Sequence, residues 1–487
     1  MTPDASFYWH DYETSGADPA RDRPLQFAGV RTDLALQPIE APQVFFCQPA
    51  PDVLPHPDAC LLTGITPQRA QREGLPEPAF AARVHELLAA PGTCGVGWNS
   101  LRFDDEISRH LFYRNFFDPY AREWQHGNSR WDLIDLARMA YALRPAGMQW
   151  PLREDGAPSF KLEHLARANG CEPRQAHDAL SDVESLLCLA RKLKAAQPRL
   201  WDWYFGLRRK QQAGALLDCA HMTPLLHVSQ RYPAARGCLA MVAPISVHPL
   251  QANKVIVADL APDPAEWAHL DVDDLAERLF TARADLPADI ARVPLKTVSI
   301  NRAPALATLE TLKGVDTARI GLDLDACLAH AVTLRASMGL AERVRALYAR
   351  ETHAEPTDAE LALYRGFLPD ADKPLLAAVR SAPAQDLAAY ASRFRDARYR
   401  TLLQRYRARH HADTLDAAEL HAWQDFRRQR LLGRSTLGGL GLDAYFGLIA
   451  QRRAEPVRSG ADLALLDQLE AWGRALAAEI APEHDDV

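Results

Sequence analysis

The sequence predicts a three-part chain: an α/β unit, then a small β-rich unit, then an all-α unit. Three observations carry this. Through residue 196, strand-like apolar runs alternate with segments of helical period; over 197–349, short apolar runs are broken by turn residues; from 350 on, Ala, Leu and Arg dominate and glycine is sparse. The 487 residues, 48% of them hydrophobic, suffice for roughly two to four ordinary cores.

The first element is FYWHDYETSG (7–16), an aromatic strand leading into Asp-Tyr-Glu. At a side-chain period of two, Asp11 and Glu13 project from one face. Next, GVGWNSLRFDDEI (95–107) reads as a short buried strand, a polar turn through Asn99 and Ser100, and a helix beginning near Asp104. In QAHDALSDVESLLCLARKL (175–193), Leu180, Val183, Leu186, Leu187 and Ala190 give helical periodicity and place Asp182 in the first turns. His177 stands five residues earlier, about 140° away on a straight helix, so it is expected on the loop or first turn entering that helix.

QPRLWDWYFGLRRK (197–210) links to the β-rich part, whose strands are expected in PLLHVS (224–229), CLAMVAPISV (238–247), KVIVADL (254–260) and PLKTVSI (294–300). Between them, 264–280 reads as one amphipathic helix. In the last part DAAELHAWQDFRRQRLL (416–432) is helical, while GRSTLGGLGLD (433–443) follows no strand and reads as a loop, not a phosphate cradle.

The residue types at these positions suit metal-dependent phosphodiester hydrolysis. That reaction needs an attacking water, stabilised phosphoryl oxygens and help for the departing oxygen; two cations about 3.5–4 Å apart can supply all three. Carboxylates suit Mg²⁺ or Mn²⁺, which prefer oxygen donors. A histidine side chain ordinarily titrates near neutrality, so His177 can serve as base for the water. Taken singly, Asp104, Asp105 and Glu106 also fit helix capping, as does His177 beside Asp178. The order strand-DxE, strand-turn-D-helix, H-x4-D-helix is far more specific than any one motif.

Composition excludes several classes. No run approaches the ~18 apolar residues of a membrane span, and the start MTPDAS lacks a signal-peptide layout, so the chain is expected in the cytoplasm, away from membranes. The eight cysteines show no C-x2-C pair; reduced thiols are expected, with neither disulfides nor Cys-rich metal clusters. Net charge is −7, which opposes DNA on average. Arginine, however, clusters at Arg208-Arg209-Lys210 and along Arg393, Arg395, Arg398, Arg400, Arg405, Arg407 and Arg409, where a solvated helix face and a strand-binding groove are equally open readings.

The motifs together resemble the DEDDh 3′–5′ exonucleases, the H-x4-D spacing marking the histidine branch. Within them the chain is similar to the bacterial exonuclease I family, through HDYETSG (10–16), DRPLQFAGVRTD (22–33), LLTGITP (61–67), FYRNFFDPY (112–120), NSRWDLIDLARMAYALRP (128–145), SFKLEHLARANG (159–170) and LQRYRARHHADTLD (403–416). The resemblance implies an α/β ribonuclease H-like exonuclease domain (1–196), an SH3-like β-barrel domain (197–349) and an all-α C-terminal domain (350–487). It implies a 3′–5′ exodeoxyribonuclease that degrades single-stranded DNA to 5′-mononucleotides with two Mg²⁺ ions, Mn²⁺ substituting, in repair and recombination. Asp11, Glu13, Asp104 and Asp182 would hold the metals, Asp11 bridging both, with His177 as base. By motif position, Glu13, Arg109, Tyr120, Trp124, Arg138, Arg144 and Lys161 would touch the substrate; Lys161 stands where the family usually carries arginine. A monomer docking the acidic tail of single-strand-binding protein is implied too. The competing readings are a proofreading or RNA-trimming exonuclease, disfavoured by the roughly 290 further matching residues, and a non-catalytic strand-binding protein, disfavoured by the filled catalytic positions.

Overall fold

The computed structural model describes residues 5–172, 179–351, 356–456 and 459–481. The chain divides into two compact units, one built from 1–129, 174–184 and 354–487, the other from 130–173 and 185–353.

The first unit is organised by five strands: β1 (Ser6–Thr14), β2 (Pro24–Thr32), β3 (Gln43–Cys47), β4 (Gly74–Leu75) and β5 (Thr93–Gly97), in the order β4-β3-β2-β1-β5. β1 runs antiparallel to β2 and parallel to β5. Its period of two divides the predicted strand as expected. Tyr8 and Tyr12 enter a core with Phe27, Phe80, Val84, Leu111 and Phe112, so Asp11 and Glu13 go to the opposite face. Gly29 matters here, because a Cβ at that position would collide with the Tyr8 ring.

Helices Glu77–Ala89 and Asp104–Arg114 supply that core; the second follows β5 through a single helical turn at Ser100–Arg102, as the turn residues predict. Helix Ala179–Ala196 carries Asp182 in its first turn and buries Val183, Leu186, Leu187, Ala190 and Leu193.

The C-terminal helices of this unit include Ala397–His410, Ala417–Leu431, Leu442–Arg453 and Gly460–Glu479. The predicted 416–432 helix appears with Asp416 and Glu419 forming a capping box, and 433–441 is a loop. Most of the arginine run turns inward. Arg398 grips Asp396 at 2.7 Å, Arg405 holds Asp358 through two 2.7 Å contacts, Arg407 pairs with Glu419, and Arg409 binds Asp52 at 2.9 and 2.7 Å and Glu360 at 2.7 Å. Arg430 also reaches Asp52, and Arg23 reaches Glu360 at 2.6 Å.

The second unit takes up β6 (Ser129–Asp132) and helices Leu133–Leu143 and Leu162–Ala168, then an antiparallel sheet of β7 (Leu225–Val228), β8 (Leu239–Val247), β9 (Lys254–Asp259), β10 (Leu295–Ser299) and β11 (Ala305–Ala307), ordered β10-β9-β8-β7-β11. Four of these five are the strands predicted; β11, three residues long, is too short to register as a pattern. The expected 264–280 helix is instead a turn at Pro264–Glu266 and a helix at Val272–Phe280, because Asp271 accepts the N–H groups of Asp273 and Asp274 and starts the helix afresh. The 197–210 segment is more than a link: helix Pro198–Gly206 packs Trp201 edge-on against Trp131 at 4.7 Å. The expectation of free thiols fails at one pair. Cys171 and Cys188 form a disulfide with Cα atoms 5.7 Å apart, a spatial proximity that linear spacing does not encode; the other six cysteines are free.

Candidate active site

The site is built where β1 outruns its neighbour. Pairing with β5 ends at Trp9↔Val96, while pairing with β2 continues through Glu13↔Gln26. The β1 edge beyond Trp9 is therefore open on the β5 side, and its Tyr12 N–H is taken by Asp104 Oδ1 at 3.2 Å. Gly97 allows the close turn, since a Cβ there would lie 2.6 Å from that of Ser100. The Tyr12 hydroxyl meets Ser108 Oγ at 2.9 Å, one turn along the same helix. Asp104 is thus fixed beside Asp11 by backbone geometry.

Asp11, Glu13 and Asp182 each offer a carboxylate oxygen, all within 4.8 Å of one another. Burial, then the negative charges of Asp104, Glu13 and Asp182, push the Asp11 carboxyl well above its ordinary range. Such mutual repulsion is costly without a cation, and an all-carboxylate donor set is the chemistry that suits a hard divalent ion. Asp11, Glu13 and Asp182 therefore fit a metal site, with Asp104 beside Asp11. His177 lies outside the described residues.

The proposed strand contacts fall into two groups. Arg109, Tyr120 and Trp124 are in the unit of the carboxylates. Trp124 is 65% exposed, as a stacking surface requires. Arg109 is 5% exposed and saturated: it donates to both Glu123 oxygens at 2.7 and 2.8 Å, to Glu106 at 2.9 Å and to the Tyr364 hydroxyl at 2.9 Å. Arg138, Arg144 and Lys161 belong to the other unit. Arg138 is buried on Asp135 at 2.6 Å; Lys161 is exposed at the start of the 162–168 helix; Arg144 lines a cleft of about 700 Å³ with Gln197, Arg199, Leu200 and Trp203.

Two residues escaped sequence reasoning. Tyr364 and Phe367, 54% and 85% exposed, flank Tyr120 at ring distances of 6.4 and 5.9 Å. Their signal was an aromatic pair in the glycine- and proline-bearing LYRGFLPD stretch (363–370), where core packing has no use for them.

Comparison with known proteins agrees over most of the chain. The family described as Exonuclease matches residues 8–189, the Exonuclease I SH3-like domain 208–350, and the Exonuclease I C-terminal domain 357–476. The exodeoxyribonuclease I of Escherichia coli K12 is 48% identical over 426 residues, covering 87% of this chain and 90% of its own. That of Haemophilus influenzae Rd is 43% identical over 433 residues, covering 88% and 92%. Among solved structures, the moderately thermophilic exonuclease I of Methylocaldum szegediense superimposes with a TM-score of 0.92 at 46% identity, over 97% of this chain and 99% of the other. E. coli exonuclease I in complex with a dA16 oligonucleotide gives a TM-score of 0.91 at 45% identity, over 98% and 100%.

Proposed function

The chain belongs to the exonuclease I family, and on that premise we propose how its residues carry the reaction. The protein is a 3′–5′ exodeoxyribonuclease that degrades single-stranded DNA to 5′-mononucleotides and depends on a divalent metal. The observation that carries the mechanism is the approach of Asp11, Glu13 and Asp182 within 4.8 Å, next to Asp104.

The metal of this reading is Mg²⁺, two ions, with Mn²⁺ able to substitute. Asp11, Glu13, Asp104 and Asp182 would hold them: Asp11 would serve both, Glu13 and Asp182 the one that activates the water, and Asp104 the other. Bound there, the ions supply charge stabilisation at the phosphoryl group and at the attacking and departing oxygens. His177 takes the proton of the water, and Glu13 also contacts the terminal nucleotide. Tyr120, Trp124, Tyr364 and Phe367 offer faces on which unpaired bases stack, which a duplex, with its bases already stacked, cannot use. Arg109, neutralised by Glu106 and Glu123, orients Tyr120 and Tyr364; its guanidinium lies 5.3 and 5.9 Å from their ring centres. Arg138, Arg144 and Lys161 complete the proposed strand path.

The three-part division at 196 and 349 is retained as a proposal, supported by the three family matches. The acidic tail of single-strand-binding protein is the proposed occupant of the cleft at Arg144, Arg199, Leu200 and Trp203, where two guanidiniums border apolar surface. No helix among the described residues is long and apolar enough to cross a membrane. The proposed setting is a cytoplasmic monomer acting in repair and recombination.

The test is digestion of 3′-labelled and 5′-labelled single-stranded DNA, duplex DNA and RNA, with Mg²⁺ and with EDTA. Immediate release of the 3′ label from single-stranded DNA alone, abolished by EDTA, is expected. Cleavage that persists in EDTA would remove the metal mechanism.

A further inference from the structure

Helix Asp104–Arg114 opens with three consecutive acids, Asp104, Asp105 and Glu106, and has no side-chain cap. At about 100° per residue, neighbouring carboxylates leave a helix in different directions. Each meets its own partner. Asp104 accepts the Tyr12 N–H at 3.2 Å; Asp105 pairs with Arg122; Glu106 reaches Arg109 at 2.9 Å and the Tyr364 hydroxyl. The rotation of the helix about its axis, which aims Asp104, is therefore held from both sides. On the Asp105 side the Arg122 guanidinium holds it.

Arg122 also packs against β5, beside the strand that bears Asp11 and Glu13. A Cβ on Gly95 would lie 3.2 Å from an Arg122 terminal nitrogen and 3.5 Å from His10 Nε2, so the guanidinium and the imidazole fill the space that this β5 glycine leaves. His10 immediately precedes Asp11 on β1, as Asp105 immediately follows Asp104 on the helix. Arg122, Asp105 and His10 are 2%, 2% and 1% exposed. Arg122 and Asp105 thus pair as buried ions behind the carboxylates. A buried ion pair adds little net stability over apolar groups of the same shape, while its geometry is highly specific.

We propose that Arg122 is a positioning residue of the metal site, setting Asp104 against Asp11 through Asp105. The inference rests on the metal-ligand reading of Asp104. Outer-shell partners of metal ligands typically contribute about 10- to 100-fold in metal affinity or activity, and Arg122→Met in the full-length protein is expected to raise the half-saturating Mg²⁺ concentration and lower kcat within that range. KM for a single-stranded oligonucleotide should stay within about twofold, because no strand contact is removed. Arg122→Lys keeps the charge but not the planar fork, so it should fall between parent and Arg122→Met.

A melting curve accompanies each variant. If Arg122→Met does not fold, the double variant Arg122→Met/Asp105→Asn, which leaves no lone buried charge, takes its place and should show the same rise in Mg²⁺ requirement. Parent-like Mg²⁺ dependence and kcat in either folded variant overturn the proposal. Asp104→Asn separates the two levels: if it is inactive while Arg122→Met behaves as the parent, only the positioning role falls; if Asp104→Asn is fully active, the ligand assignment beneath it falls.

Discussion

Asp11→Asn offers a test in which stability and activity move in opposite directions. The substitution is nearly isosteric and removes one of four clustered negative charges. At the 4.8 Å separation that bounds the Asp11, Glu13 and Asp182 oxygens, each like-charge pair costs about 3.5 kcal/mol at an effective dielectric of ~20 and about 0.9 kcal/mol at ~80. Metal-free parent protein carries that repulsion; metal-free Asp11→Asn is relieved of part of it. A net gain of about 1–2 kcal/mol raises the melting temperature by roughly 2–8 °C at the sensitivity of a domain of 150–250 residues. With Mg²⁺ the order should reverse, since a ligand that binds only the folded state stabilises it by mass action and the variant lacks one of the proposed ligand carboxylates. The sign with pH follows. A carboxyl whose folded pKa lies above its unfolded value binds more protons in the native state, so metal-free stability falls as pH rises from about 4 through the raised value of Asp11, and the advantage of the variant grows over that window. Calorimetry in EDTA and in Mg²⁺ across pH 4–8, beside nuclease assays, reads all three effects. A metal-free variant that melts below the parent, or equal Mg²⁺ stabilisation of both proteins, would refute the reasoning.

Further outcomes are expected elsewhere. His177→Ala should be slowed about 10²–10⁴-fold and recover partly at higher pH, as for loss of a general base; parent activity near neutrality would make the histidine structural. Arg409→Met leaves Asp52 and Glu360 short of a partner and should cost about 3–5 kcal/mol in denaturant unfolding, whereas an unchanged midpoint would remove the network's structural role. Burial would raise those two carboxyls, but the surrounding arginines hold both below the usual range, so their contribution is present above the unfolded carboxyl pKa and is lost on acidification below about pH 4, a slope the variant should lack. Tyr364→Ala and Phe367→Ala should each weaken binding of single strands by about 1–3 kcal/mol with little change in salt dependence; a changed salt slope would instead implicate phosphate contacts. Full-length enzyme preloaded on labelled strand without metal, then started with Mg²⁺ and excess unlabelled strand, should continue digestion; complete suppression by the trap would refute retention of the strand.

The carboxylate site was legible because its residues are short-range facts. Asp11 and Glu13 follow from alternation along one strand, and Asp104 and Asp182 each from the start of a helix. What joins them was not legible: the Tyr12 N–H is available to Asp104 only because β5 stops short of it, a matter of strand register. The arginine run shows the complementary limit. Arg405, Arg407 and Arg409 carry the composition of a phosphate-binding face, yet their carboxylate partners Asp358, Glu419, Asp52 and Glu360 lie as far as 357 residues away in sequence. Periodicity gives a helix and its faces, not what the faces meet. The Cys171–Cys188 disulfide and the second start at Asp271 were missed for related reasons, one a spatial pairing and the other a local cap that overrides a continuous amphipathic pattern.

The grip on Asp52 has a consequence for how the protein is made. This aspartate leaves the ribosome early, but Arg430, one of the two cations that render its burial tolerable, follows 378 residues later. At about 5–20 residues per second, that interval is roughly 20–75 s. Arg23 waits similarly for Glu360. Through most of synthesis the amino-terminal segment thus holds charges that it cannot bury without counterions, and its final packing should lock only as the last helices emerge. A nascent chain halted near residue 196 should be cut readily by protease, while one extended past Arg430 and clear of the exit tunnel should resist.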